Sequence, residues 1–284
     1  MLMQGLIAIG GTLLAVAGAV LAAYLWETKL RDRVTVHRIR RSDDEYLESL
    51  LELYQRLFDD DSTNYSPAEI LEFIDDADWA TGKRHVVAEN IVLAALFKHN
   101  VVGFLFCHFY PERRKAIISY YGIDKKVAEA KHHAARSLLV RLKRILVTGD
   151  HPCDYLFFDL QGVDFSTPKA KARERRARPV LFKQSARSLG LEAHLLEFPY
   201  VCPKVSLSHD TREYPFTLMC VPIRGKLSAP VSRETVLEFL RFIHLDCYGD
   251  LYPVADPKFA EYQKHLSQRL AHYEQVLPPA IPVT

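Results

Sequence analysis

The sequence predicts a mixed α/β fold, one sheet with helices on both faces, and three observations predict it. The stretch from Val86 to Asp124 is β in texture, an amphipathic helical pattern follows it, and the compact apolar strand "CDYLFFDLQ" then leads into a basic segment and another helix. The order along the chain reads β, α, α, β, β, β, α, β, α, β, β and a helical tail. Elements in that order bury both faces of a sheet. With 284 residues the chain is long enough for a substantial core. A hydrophobic content of 49% with 25% charged residues is that of a globular protein. A formal net charge of +2 sets up no global field, so no nucleic-acid partner is expected. The five cysteines are scattered, odd in number and without a CxxC pair, which favours free thiols in a reducing compartment. No metal-ligand spacing occurs, so no metal is expected.

The N-terminus is set apart. Gly5 to Trp26 is a run of 22 residues without a charge, enough to cross a hydrocarbon core of ~30 Å. Tyr24 and Trp26 close it, and Lys29, Arg31, Arg33, Arg38, Arg40 and Arg41 follow. Nothing basic precedes it, so the rule that positive flanks stay inside predicts a single-pass anchor, its N-terminus outside and the remaining chain in the cytoplasm. The competing reading is a cleaved signal peptide, which a basic leading region would favour. Gly11, Ala15, Gly18 and Ala22 share one helical face; this stripe either lets two anchors pack as a homodimer or reflects small-residue composition alone.

"RVTVHRI" alternates as a strand should. Ser42 and Glu45 form a capping-box pattern ahead of an amphipathic helix over about 43–59, built on Leu47, Leu50, Leu51, Tyr54, Leu57 and Phe58. "SPAEI" starts a short second helix, with Ser66 as cap and Pro67 at the first helical position. The acidic clusters Asp59–Asp61 and Asp75–Asp78 read as solvated helix ends, since no glycine-punctuated calcium loop surrounds them. "IVLAALFKHN" and "VVGFLFCHFY" read as a hairpin turning at His99-Asn100, and "PERRK" turns the chain into "AIISYYGID". "KVAEAKHHAARSLLVRLKRIL" is the next helix, with Leu138, Leu139, Leu142, Ile145 and Leu146 on its apolar side. After "CDYLFFDLQ" come a basic loop and a helix ending at Gly190. "LEAHLLEFPYV" and "EYPFTLMCVPI" read as two more strands, and helices over about 231–245 and 256–276 form the tail. Domain bounds follow: an anchor over 1–30, one α/β domain over 31–226 and a helical extension over 227–284.

Three readings stay open for the basic helix start at Lys126–Arg136: an anion site at a helix N-terminus, a solvated face or a metal site. Adjacent histidines point about 100° apart on a helix, which argues against His132 and His133 sharing one ion. "KAKARERRAR" carries six bases and one acid; nucleic acid, anionic lipid, a cofactor's phosphates and plain solvation all fit it. The absence of an aromatic residue argues against a platform for stacked bases. His244, Asp246 and Cys247 are too close in sequence for a working triad, and Cys247 reads as a buried thiol.

The element order resembles that of the Gcn5-related N-acetyltransferase superfamily over about residues 34–224. "VVGFLFCHFY", "AIISYYGID" and "FKQSARSLGLEAH" resemble, respectively, that family's "-VGF-" strand, the strand that meets the cofactor and its "FYEKLGF" junction. The resemblance implies an acyl-CoA-dependent acyltransferase whose turn after the fourth strand holds the cofactor's pyrophosphate. In the family that turn carries Arg/Gln-x-x-Gly-x-Gly/Ala, where glycine admits the phosphates to the backbone. Here one alignment places Ala130, His133 and Ala135 at the three defined positions, and a shifted one places Lys131, Ala134 and Arg136; neither supplies glycine. Side-chain charge from Lys131, His132, His133 and Arg136 is the implied replacement. Ile123, at the end of the strand that meets the cofactor, completes the implied binding set.

Catalysis in the family uses a base and a tyrosine acid. The position before Gly190 where that tyrosine is expected holds Ala186 or Arg187. Tyr121 and Asp159 are the implied catalytic candidates, with Tyr120 behind them; the structural alternatives are packing for the tyrosines and a turn for Asp159. Two functions follow. One is a membrane-anchored, cytoplasm-facing N-acyltransferase that uses acetyl-CoA or another acyl-CoA on an amine of a small molecule or peptide. The other is a non-catalytic scaffold or sensor of the same fold at the membrane.

Overall fold

A computed structural model describes residues 34–58, 66–75, 88–127, 130–163, 167, 169–203, 215–249 and 257–284. The anchor expected at Gly5–Trp26, its small-residue stripe and the clusters at Asp59–Asp61 and Asp76–Asp78 lie outside these residues. Among the described residues no helix is long and apolar enough to cross a membrane.

The elements are β1 (Val34–Ile39), α1 (Leu47–Leu57), α2 (Pro67–Asp75), β2 (Glu89–Phe97), β3 (Asn100–Tyr110), β4 (Lys115–Ile123), α3 (Lys131–Val147), β5 (Tyr155–Gln161), α4 (Lys169–Arg187), β6 (His194–Leu195), β7 (Tyr200–Val201) and β8 (Pro215–Pro222). The C-terminal part adds β9 (Val231–Ser232), α5 (Arg233–Arg241), a π-helical turn over Phe242–Tyr248, α6 (Phe259–Val276) and β10 (Ala280–Ile281). The main sheet is mixed, in the order β1-β2-β3-β4-β5-β8, with β6 and β7 both on the outer edge of β8. Among the described residues, every pairing in it is antiparallel except β4–β5.

Side-chain alternation along the strands sends apolar residues to both faces. One face packs Ile91, Leu93, Leu105, Ile118 and Phe158 against Leu138, Leu139 and Leu142 of α3 and Phe182 of α4. On the other face, Leu50, Leu53 and Tyr54 of α1 cover Phe104, Phe106 and Tyr120. Next to them, α5, the π-helical turn and α6 cover Phe157, Leu218 and Cys220 with Phe239, Leu240, Phe242 and Tyr273. The helical tail is thus part of the cover of the sheet, and the chain end pairs with the strand region through Leu195 and Thr284, each amide donating to the other's carbonyl.

Several local readings are corrected. α1 begins at Leu47, with Tyr46 as cap and no side-chain cap bond, not at Ser42. The Ser42 amide is bonded to Asp75 Oδ1 at 2.9 Å, while Asp44 accepts from the Tyr46 amide and meets His37 Nε2 at 2.7 Å, so the box residues serve turns. The β2–β3 hairpin turns on Lys98 and His99, both at positive φ (51° and 65°). The basic segment is not a loop: Lys169–Arg187 is one helix that carries Pro179 inside it. Arginine, lysine and alanine are good helix formers, and their summed preference outweighs one missing amide. "LEAHLLEFPYV" does not make one strand; Pro199 falls between the two-residue β6 and β7.

Candidate functional site

β4 and β5 run parallel, but their pairing covers only Lys115–Ile118 against Tyr155–Phe158. Past that point β4 and β5 no longer pair with each other. The register of β4 against β3 shifts where Phe106 faces Tyr120 and Cys107 faces Ile118, which leaves Ser119 as a bulge. A bulge re-aims the side chains beyond it. Ile118 and Tyr121 therefore point to the α3/α4 face, whereas Tyr120 points to the face of α1.

That parity separates the two catalytic candidates. Tyr121 packs edge-on to Phe158 and Phe182, ring centroids 6.4 and 6.3 Å away, and burial pushes its hydroxyl well above the usual tyrosine range. On the opposite face Asp159 is the first β5 residue past the paired segment, and its Oδ2 collects three donors: Tyr200 Oη at 3.0 Å, Tyr248 Oη at 3.3 Å and Cys202 Sγ at 3.5 Å. The structure thus brings Asp159 together with these three and not with Tyr121. Cys202 Sγ and Tyr248 Oη are also 2.8 Å apart. Asp159 Oδ1 is sealed from solvent and has no hydrogen-bond partner among the described residues. Burial pushes the carboxyl up to about 6 although the three donors pull it down. A carboxyl so placed changes charge near neutral pH, where a general base works best.

Tyr200, Cys202 and Tyr248 were not singled out by the sequence. They come from β7, the residue after it and the C-terminal π-helical turn, and no spacing pattern connects them to Asp159. The neighbours of Tyr248 go elsewhere: His244 is fully buried with Nδ1 3.0 Å from Leu240 O, and Asp246 takes Arg113 on both oxygens at 2.8 and 3.2 Å.

The cationic candidates gather at the other side of the separation. α3 and α4 each come after one of the two diverging parallel strands, so both helices start at the same end of the sheet. Neither has an acid in its first turn. Lys131, His132 and Arg136 are exposed on α3, and Lys169, Lys171, Arg173 and Arg176 are exposed on α4. Lys125 Nζ joins the two starts by its 2.8 Å ion pair with Glu174, whose carboxyl is thereby held below the usual range. Among the described residues before α3, Asp124 pairs with Arg56 at 2.6 Å. Ala134 lies fully buried under α3, so of the shifted alignment only Lys131 and Arg136 offer charge to a ligand. Of the other alignment Ala130 is likewise buried and His133 and Ala135 are half-buried, while Ile123 packs on the α3 core. Among the described residues no group of three His, Cys, Asp or Glu side chains could hold a metal ion.

No family model and no curated protein matches the sequence. Solved structures do resemble the fold. One is a putative acetyltransferase of the GNAT family from Bacteroides thetaiotaomicron (TM-score 0.49, 15% identity, over 76% of this chain and 98% of that one). Another is an aminoglycoside 6'-N-acetyltransferase from Enterococcus faecium (TM-score 0.44, 12% identity, over 68% of this chain and 99% of that one). A third is an aminoglycoside 6'-N-acetyltransferase complexed with coenzyme A (TM-score 0.42, 13% identity, over 68% and 99%).

Proposed function

We propose that the protein is an acyl-CoA-dependent N-acyltransferase, anchored by Gly5–Trp26 with its α/β domain in the cytoplasm, and that Asp159 is its base. The observation that carries the reading is the pair of helix starts beside the separated strands. A helix N-terminus is a partial positive charge that ordinarily attracts Asp or Glu into its first turn. Here two such ends stand together, both without an acid in the first turn and both with added cations. Each helix gives up favourable local electrostatics, and a polyanionic ligand at the shared mouth restores it. A CoA fits that mouth by charge, although no glycine admits its phosphates to the backbone. Its extended amide-bearing arm fits between β4 and β5 beyond their paired segment.

When bound, an acyl-CoA supplies the acyl group as an activated thioester. The chain's own residues do the rest. Lys131 and Arg136 hold the anionic end, joined by Lys169 and Arg173 of α4. Asp159 would take the proton that the acceptor nitrogen releases as its bond to the acyl carbon forms, while the thioester's carbon–sulfur bond breaks and the departing thiolate is protonated from solvent. Tyr121, on the other face, lines the throat of the separation.

One observation favours the second reading, a scaffold or sensor. Tyr121, Phe158 and Phe182 pack into the α3/α4 side of the separation, with Phe158 and Phe182 centroids 5.1 Å apart, and narrow the path between the strands. Calorimetric titration of the full chain with acetyl-CoA and with CoA decides between them. Micromolar binding that weakens as salt rises supports the enzyme. No binding by a protein with native near-UV dichroism leaves the scaffold.

A further inference from the structure

The C-terminal segment reaches the candidate site, and it does so with a fixed side chain. α5 passes without a break into the π-helical turn Phe242–Tyr248, a rare winding that is frequent at functional sites. Tyr248 is bracketed on both sides. Two residues earlier, Asp246 is held by the Arg113 guanidinium from the β3–β4 turn, at 2.8 and 3.2 Å. One residue later, Gly249 O accepts from Gln263 Nε2 of α6 at 3.0 Å. The sheet and the last helix therefore fix where the Tyr248 hydroxyl lies.

That hydroxyl meets only one oxygen of Asp159. Oδ2 has Tyr200, Tyr248 and Cys202 around it, while Oδ1 is sealed and has no donor among the described residues. The titratable groups facing the carboxyl are these three, from β7, the residue after it and the π-helical turn; no cation pairs with it among the described residues. An oxygen saturated with donors has no lone pair left for a proton. The oxygen without donors is where protonation goes.

We propose that Tyr248 is a positioning residue for Asp159: by donating to Oδ2 beside Tyr200, it leaves Oδ1 as the oxygen of the carboxyl that carries the proton when Asp159 is protonated. The inference rests on the acyltransferase reading, in which Asp159 is the base. It makes the C-terminal segment part of the site and not only a cover for the sheet.

The test is a carboxyl titration of the full chain by 13C NMR with labelled aspartate, the Asp159 signal assigned by its loss in Asp159→Asn. Tyr248→Phe removes one donor to the charged form, so the Asp159 midpoint rises by about one unit, roughly a tenfold loss of the ionised form below that midpoint. Because Tyr248→Phe also removes a part-buried partner of Cys202, a second variant guards against misfolding. 3-Fluorotyrosine at position 248 keeps the shape, donates more strongly and moves the midpoint down. Opposite shifts support the proposal. An unmoved midpoint in folded Tyr248→Phe, or shifts of the same sign in both variants, overturns it. CoA titration of the wild type separates the two levels: no CoA binding removes the acyltransferase reading, whereas the two midpoints judge Tyr248 by themselves.

Discussion

Tyr200 donates its hydroxyl to Asp159 Oδ2 at 3.0 Å from a two-residue strand, and in doing so ties the last strands of the sheet to the point where β4 and β5 separate. The bond does not make the carboxylate comfortable. Burial outweighs all three donors, and the group titrates near 6.

The consequence for stability has a definite sign. A folded midpoint of about 6 lies above the unfolded value of ~3.9. Asp159 therefore contributes stability that is fully present below about pH 4 and is lost as pH rises through 6. The loss is on the order of 2–3 kcal/mol. Asp159→Asn removes that slope: measured by urea unfolding from pH 4.5 to 7.5, its stability relative to wild type climbs with pH and levels off above about 7. The absolute gain is limited, because an amide nitrogen at the Oδ1 position finds no acceptor.

His244 predicts the opposite slope in the same molecule. Burial first of all lowers its midpoint to about 3, well under the unfolded ~6.5. Unfolding then takes up a proton between those values, so stability falls as pH drops below about 6.5, by an amount on the order of a few kcal/mol at the acid end. His244→Phe keeps ring contacts with Tyr200 and Tyr273 and loses this slope. Wild type, Asp159→Asn and His244→Phe compared over pH 4–7 separate the two groups. A His244→Phe variant with the wild-type acid slope would sink the assignment.

Range explains why the sheet was readable and the site was not. Phe104, Phe106, Phe157 and Phe158 sit on strands whose alternation is local, and α3 shows its apolar stripe in one stretch. The parallel β4–β5 pair was implicit in the order strand, helix, strand. By contrast, Ser42 looked like a cap because a capping box is defined by four residues, while the actual partner of its amide, Asp75, is 33 residues away. Asp159 was legible as a polar residue ending an apolar strand. Its partners Tyr200 and Tyr248, 41 and 89 residues further on, depend on β7 pairing with β8 and on a π-helical turn, and neither leaves a periodic trace. The bulge at Ser119 likewise hid which tyrosine shares a face with Asp159.

Gly122 gives a packing prediction at the same strand. A Cβ there would lie 2.8 Å from Leu57 Cδ1 and 2.8 Å from Phe104 Cζ, inside the contact between α1 and the sheet. Leu57 can turn aside, but the Phe104 ring is fully buried and cannot. Gly122→Ala is expected to cost about 1–3 kcal/mol in chemical unfolding. A loss under ~0.5 kcal/mol would mean that α1 sits more loosely than the ring packing with Tyr54 and Phe58 implies.

The helix starts allow a prediction in which stability and binding move apart. Lys131 and Lys169 occupy the first positions of α3 and α4, where a cation opposes the helix dipole. Replacing either by glutamate improves that local electrostatics by about 0.3–1 kcal/mol. The fold should therefore become slightly more stable in Lys131→Glu and in Lys169→Glu. If the two ends were only solvated faces, nothing would be lost in exchange. If they hold the phosphates of a CoA, the same substitutions, paired with Arg136→Glu or Arg173→Glu, weaken CoA binding by more than tenfold and flatten its dependence on salt. The expected result is higher thermal stability together with weaker CoA binding for both pairs. Loss on α3 alone would confine the anion to one helix end and release α4 for a different partner. Unchanged affinity in both pairs would remove the shared mouth as the cofactor site.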